Sequence, residues 1–113
     1  MSGMLALSLL LASAAAPSTP AEDEIVVIAR KMQMIRVDIK APKRNGQLVL
    51  ERCRISRSSG DAELDAVPCA VTQACMAEKP ADRKVLRICV ERQSKLRLEE
   101  IAAGRRAARD AQS

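Results

Sequence analysis

Not one Phe, Tyr or Trp occurs among the 113 residues of this chain. Aromatic side chains bury the most area per residue, so any core has to be assembled from Leu, Ile, Val, Met and Ala. Hydrophobic residues make up 48% of the sequence, enough for one core. A chain of this length nevertheless hides a smaller fraction of its surface than a large domain does. A thin aliphatic core in one small domain calls for a staple, and the search for one leads to the cysteines.

Cys53, Cys69, Cys75 and Cys89 form an even set, whose meaning depends on the compartment. Met4 to Ala16 is an apolar run rich in Leu and Ala, followed by Pro17-Ser18-Thr19-Pro20-Ala21. These are the length and flanks of a signal-peptide core, and the run is shorter than the ~20 apolar residues of a membrane span. Ala14-Ala15-Ala16 is one candidate cleavage site, but it would leave Pro17 as the first mature residue. Cleavage after Ala21 is preferred because it puts small Thr19 and Ala21 at the two key positions. Residues 1–21 are therefore expected to be a signal peptide, 22–108 a single small α+β domain and 109–113 a frayed tail, in a protein exported to the periplasm.

Export turns the four cysteines into a disulfide framework. The gaps of 15, 5 and 13 residues between them lack the closely paired ligands of a structural zinc site. If Cys69 and Cys75 share a helix, their Cα atoms stand ~9 Å apart along its axis, beyond the roughly 4.4–6.8 Å of a disulfide. Two pairings remain: Cys53–Cys69 with Cys75–Cys89, preferred because each closes a short loop, and Cys53–Cys75 with Cys69–Cys89.

The β-branched run Ile25-Val26-Val27-Ile28 reads as a strand. Ile35, Val37 and Ile39 alternate with Arg36, Asp38 and Lys40, the period of a half-buried strand. Asn45-Gly46 is a strong hairpin signal because both residues tolerate positive φ. Gln47 to Ile55 then forms the return strand, with Val49, Cys53 and Ile55 on one face. Asp61 is a good N-cap for a short helix to Ala66, with Leu64, Val67 and Val71 as its apolar stripe continued. A fuller helix runs from Pro68, placed at its first position, to Glu78, and Lys79-Pro80 ends it. Asp82 caps a last, basic helix to about Ala108, with Val85, Leu86, Cys89 and Leu96 as its stripe; a third strand over Val85 to Val90 is the rival. The expected fold is α+β, a small antiparallel sheet of two to three strands packed by one or two helices and stapled by two disulfides.

Histidine is absent, which removes the commonest general base and metal ligand. No catalytic, cofactor-binding or metal-binding residue is assigned. No C-x-x-C motif is present to make a low-pKa redox cysteine. The net charge of +5 invites a nucleic-acid reading, but without aromatics nothing stacks on bases; weak attraction to an anionic membrane surface is the more natural consequence. Ser56-Arg57-Ser58-Ser59-Gly60-Asp61 is the single polar cluster that would suit an anion at a helix start, and a plain turn with an N-cap is its ordinary reading.

The segment from Leu50 through Cys53 and Ser58-Ser59-Gly60 to Leu64-Asp65 and Cys69 resembles the core of TonB C-terminal domains, in which a strand ends in a Ser-Ser-Gly turn and Leu-Asp opens a helix. Asn45-Gly46-Gln47-Leu48 fits the hairpin of that family, so the resemblance covers about residues 35–72. Asp23 to Arg30 is similar to the TonB box of outer-membrane receptors. The resemblance implies a partner in the envelope and makes Ile25, Val26, Val27 and Ile28 a candidate partner-binding strand, with pairing to the protein's own sheet as the alternative. The expected function is that of a non-enzymatic envelope protein acting through protein–protein contact, TonB-system-related; the alternative is a small periplasmic anion- or ligand-binding protein or enzyme. Amino-terminal sequencing of the protein recovered from the periplasm is expected to begin at Glu22; an intact Met1 there would make the first segment a core helix instead.

Overall fold

The computed structural model describes residues Pro20 to Gln112, so residues 1–19 of the expected signal peptide lie outside it. The chain is α+β. Helix α1 (Pro20–Met34) is followed by strands β1 (Arg36–Lys40), β2 (Lys43–Arg44), β3 (Gln47–Leu48) and β4 (Arg52–Arg57). Helices α2 (Ala62–Asp65), α3 (Val67–Ala77) and α4 (Arg83–Gln112) complete it.

The expected hairpin forms. Asn45 and Gly46 take φ values of 53° and 79°, the pair of positive values that a two-residue type I′ turn requires, and Lys43 and Arg44 face Leu48 and Gln47. Lower down, β1 and β4 pair antiparallel, with Val37 opposite Ile55 and Ile39 opposite Cys53. The two ladders are joined by single bonds from Val49 N–H to the Pro42 carbonyl (2.9 Å) and from Glu51 N–H to the Lys40 carbonyl (2.8 Å). Lys40 also pairs with Arg52, so Glu51 is the extra residue of a β-bulge.

That bulge corrects one expectation. Leu48 is buried and Leu50 half-buried, whereas beyond the bulge Cys53 and Ile55 point inward. The extra residue shifts the alternation by one, and Val49 turns out to solvent at 40% exposure instead of joining Cys53 and Ile55.

A larger correction concerns Ile25, Val26, Val27 and Ile28, which are helical, not extended. The reason lies in their surroundings. Ile25, Ile28, Ala29 and Met32 recur at helical spacing. Glu24 precedes them and Lys31 stands in the last turn, as the helix dipole favours. Ile28 is fully buried and Met32 packs on the core. Helix α1 runs antiparallel along the far half of α4, where Glu24 meets Arg109 at 3.1 Å and Lys31 meets Asp61 at 3.6 Å.

The later helices start where the sequence places their caps. Leu64 N–H donates to Asp61 Oδ1 at 3.3 Å, Pro68 sits in the first turn of α3, and Val85 N–H donates to Asp82 Oδ1 at 2.9 Å. Residues 85–90 belong to α4, not to a third strand, and α4 extends to Gln112. The stripe of α4 also differs from expectation: Leu86 and Cys89 are buried with Ile101 and Ala102, while Val85 and Leu96 stand exposed. A helix of this length outlasts any one neighbour. Its first half packs on α3 and its second half on α1, so the buried side turns along the axis.

The core joins Ile28, Leu48, Leu64, Val67, Val71, Leu86 and Ile101. Thr72 is its buried polar member, its hydroxyl donating to the Pro68 carbonyl at 2.7 Å. Two disulfides complete it, Cys53–Cys69 and Cys75–Cys89, with Cα separations of 5.6 and 6.0 Å. Cys75 is itself 1% exposed, part of the apolar interior it staples. Replacing Cys75 and Cys89 together by Ala is expected to lower unfolding free energy by about 3 kcal/mol through the released loop entropy, read as an earlier midpoint in urea with Cys53–Cys69 retained.

Candidate functional site

Strand alternation decides which backbone groups of β1 are free. Lys40 and Pro42 turn their carbonyls toward the returning strand, so the N–H and C=O groups of Val37, Ile39 and Ala41 face the other way. On that side β1 has no strand neighbour among the described residues. The start of α4 runs nearby, and Arg83 Nε–H donates to the Ala41 carbonyl at 3.4 Å.

Between this open edge and α4 lies a groove of about 490 Å³. Ile39, Ala41, Pro42, Leu86 and Val90 make it apolar, with Thr72 among them, and Lys40, Arg83, Arg87 and Glu91 complete the lining. Ile39 belongs to the inward face of the sheet, opposite Cys53, yet it is 42% exposed. An inward-facing Ile left that open marks a place where the fold supplies no cover. The groove's rim carries three cations and one acid.

Of the Ser56–Asp61 cluster, Ser56 and Arg57 end β4, where the Ser56 hydroxyl donates to the Arg36 carbonyl at 3.3 Å, and Ser58 to Asp61 form a closed network around Asp65. Asp65 accepts Ser59 N–H at 2.9 Å, the Ser59 hydroxyl at 2.7 Å and the Ser58 hydroxyl. Gly60 N–H donates to Ser58 Oγ and Asp61 N–H to Ser59 Oγ. The chain thus brings its own carboxylate to the donors that an anion would use. The structure joins these residues into a turn and N-cap, the ordinary reading of the motif.

Asp61 is the junction of three helices. It caps α2, and its Oδ2 lies 2.9 Å from Arg105 of α4 and forms an ion pair with Lys31 of α1 at 3.6 Å. Arg105 reaches Glu63 as well, at 3.0 Å. Burial pushes the Asp61 carboxyl up, but the hydrogen bonds from Arg105 and Leu64 N–H and the charges of Arg105 and Lys31 outweigh it, holding the group below the usual carboxylate range. The Ser58 hydroxyl, then Ser59 N–H and hydroxyl, do the same for Asp65. Glu51 is lowered by the Arg44 hydrogen bond and nearby cationic charge.

All four predicted disulfide cysteines are brought together as two bonds. Cys75, Glu78 and Cys89 cluster closely, but the two sulfurs are joined to each other and offer no thiolate. Of the candidate partner strand, Ile28 is buried and Ile25, Val26 and Val27 stand exposed on α1, away from the groove. The groove itself escaped the sequence reading. Its one visible signal is Ala41-Pro42 after an alternating strand, since Pro lacks a donor and belongs on a sheet edge.

Because Asp61 and Asp65 titrate below their unfolded values, their contribution is complete above about pH 5, where the unfolded groups are ionised too, and is lost as pH falls through the lowered folded values. Urea midpoints are expected to drop between about pH 5 and pH 2, and the drop is expected to be shallower in Asp65→Asn. Asp61→Ala is expected to cost about 1–2 kcal/mol at neutral pH, the range of a lost N-cap.

No family model, curated protein or solved structure matches this chain.

Proposed function

We propose that this chain is a non-enzymatic protein of the periplasm that holds an extended segment of an envelope partner in the groove between β1 and α4. The observation that carries the reading is the open edge of β1 beside an apolar groove, with inward-facing Ile39 left 42% exposed. Such an edge recognises an added strand through main-chain hydrogen bonds, and adjoining pockets select alternate side chains. Arg83, Arg87 and Lys40 on the rim favour a segment carrying acidic residues.

The exported location rests on the Met4 to Ala16 run and on the two disulfides, which persist in oxidising compartments. The resemblance of about residues 35–72 to TonB C-terminal domains directs the search for a partner to the TonB system of the envelope. In this reading the exposed run on α1 is not the docking strand; the docking strand comes from the partner.

The test is site-specific photo-crosslinking from Ile39 in living cells, with products identified by mass spectrometry. A single envelope protein, crosslinked through a segment with acidic residues, is expected. Ile39→Pro removes an N–H that points to the open edge and leaves the bonds to β4 in place, so it is expected to abolish that crosslink from a probe at Val90 while the urea midpoint changes little. Crosslinks confined to the chain itself would overturn the reading.

A further inference from the structure

The groove is one side of α4. On the opposite side of the first half of the same helix, Lys84, Ile88, Arg92 and Lys95 follow each other at steps of three and four residues, which puts them on one face. Val85 and Leu96 lie beside them. The three aliphatic residues are 46%, 48% and 48% exposed for Val85, Ile88 and Leu96, and the three cations are exposed too.

The cations of this face differ from those of the second half of the helix in their pairing. In the second half of the helix the arginines have acids to meet: Arg97 meets Glu100 at 3.0 Å, Arg105 meets Asp61 and Glu63, Arg106 meets Asp110 at 3.9 Å and Arg109 meets Glu24 at 3.1 Å. Lys84, Arg92 and Lys95 have no ion pair among the described residues. The Cys75–Cys89 bond ties this half of the helix to α3, so the face is held outward on a fixed support.

From this we infer that the outer face of α4, formed by Lys84, Val85, Ile88, Arg92, Lys95 and Leu96, docks on the anionic headgroup surface of a lipid bilayer. Charge complementarity selects the occupant: three cations without an ion pair within about three turns, against Glu99 at the C-terminal end of the same face and Glu91 beside it. The geometry favours a membrane over an acidic protein. The face is the convex side of a helix, and the hollow beside it, where Val85, Ile88 and Arg92 meet Lys79 and Pro80, is also lined by Glu78, which disfavours an acidic peptide there. Single aliphatic side chains set between the cations suit shallow insertion among fluid headgroups. Cations near an anionic surface each strengthen binding roughly fivefold at moderate salt, and the attraction fades with ionic strength.

The test uses the oxidised protein as its host makes it, in flotation with vesicles of phosphatidylcholine with and without phosphatidylglycerol. Binding is expected only where phosphatidylglycerol is present, and to weaken as salt is raised. The triple variant K84Q/R92Q/K95Q is expected to bind on the order of 100-fold more weakly, while R97Q, which removes a cation already paired on another side, binds as the parent does. The triple variant leaves residues 1–21 untouched, so any contribution of that apolar segment cancels in the comparison. Equal binding by the triple variant and the parent would overturn the inference, as would binding to an acidic protein that is lost in the variant when no vesicle binding is seen. The groove is not altered by these substitutions, so crosslinking from Ile39 reports on the partner-binding reading independently.

Discussion

Everything in this fold is referred to helix α3, because both disulfides leave from it. Cys69 and Cys75 lie six residues apart on its eleven residues, which turns their side chains about 120° from one another around the axis. One bond therefore runs to the sheet at Cys53 and the other to the long helix at Cys89. A single short helix becomes the spine to which a two-stranded sheet and a helix of 30 residues are fastened on different sides. Two strands alone are marginal in water, and an aliphatic core with so few fully buried side chains gives modest support. The covalent spine compensates for both.

The same economy explains the groove. A sheet two strands wide has two open edges, and only a wider sheet or another helix could close the one on β1. The disulfide from α3 pulls the sheet in through β4, the strand that carries Cys53, and leaves β1 at the far side with Ile39 uncovered. Meanwhile Asp61 gathers α1, α2 and α4 by accepting from Leu64 N–H and Arg105 and by pairing its charge with Lys31. The molecule thus has a covalent centre on one side and an electrostatic one on the other, and the groove lies near the covalent one.

Much of this was legible in the sequence wherever one or two residues decide the local geometry. Asn45-Gly46 announces its turn because few residues accept positive φ. Asp61, Pro68 and Asp82 mark helix starts because their chemistry suits those positions. The spacing of four cysteines narrows the pairings to two and favours the one that forms. What was not legible depends on distant neighbours. Ile25 to Ile28 satisfies both a strand's preference for β-branching and a helix's spacing, and only its packing on α4 settles the matter. Val49 was misplaced because a bulge at Glu51 has no signature in the alternation. The groove joins Ile39 to Val90, 51 positions apart along the chain, so no local pattern contains it.

The turning of the buried side of α4 divides the molecule in a way its continuous backbone conceals. The early turns of the helix share a cross-link with α3, and the late turns rest on α1 through Ile28, Ile101 and surface charges. Opening of the late turns breaks no covalent bond and exposes little of the stapled centre. The two ends of one helix are therefore set to open as different units: amide hydrogens of the late turns and α1 are expected to exchange ahead of those flanking Cys89, which the cross-link holds to α3.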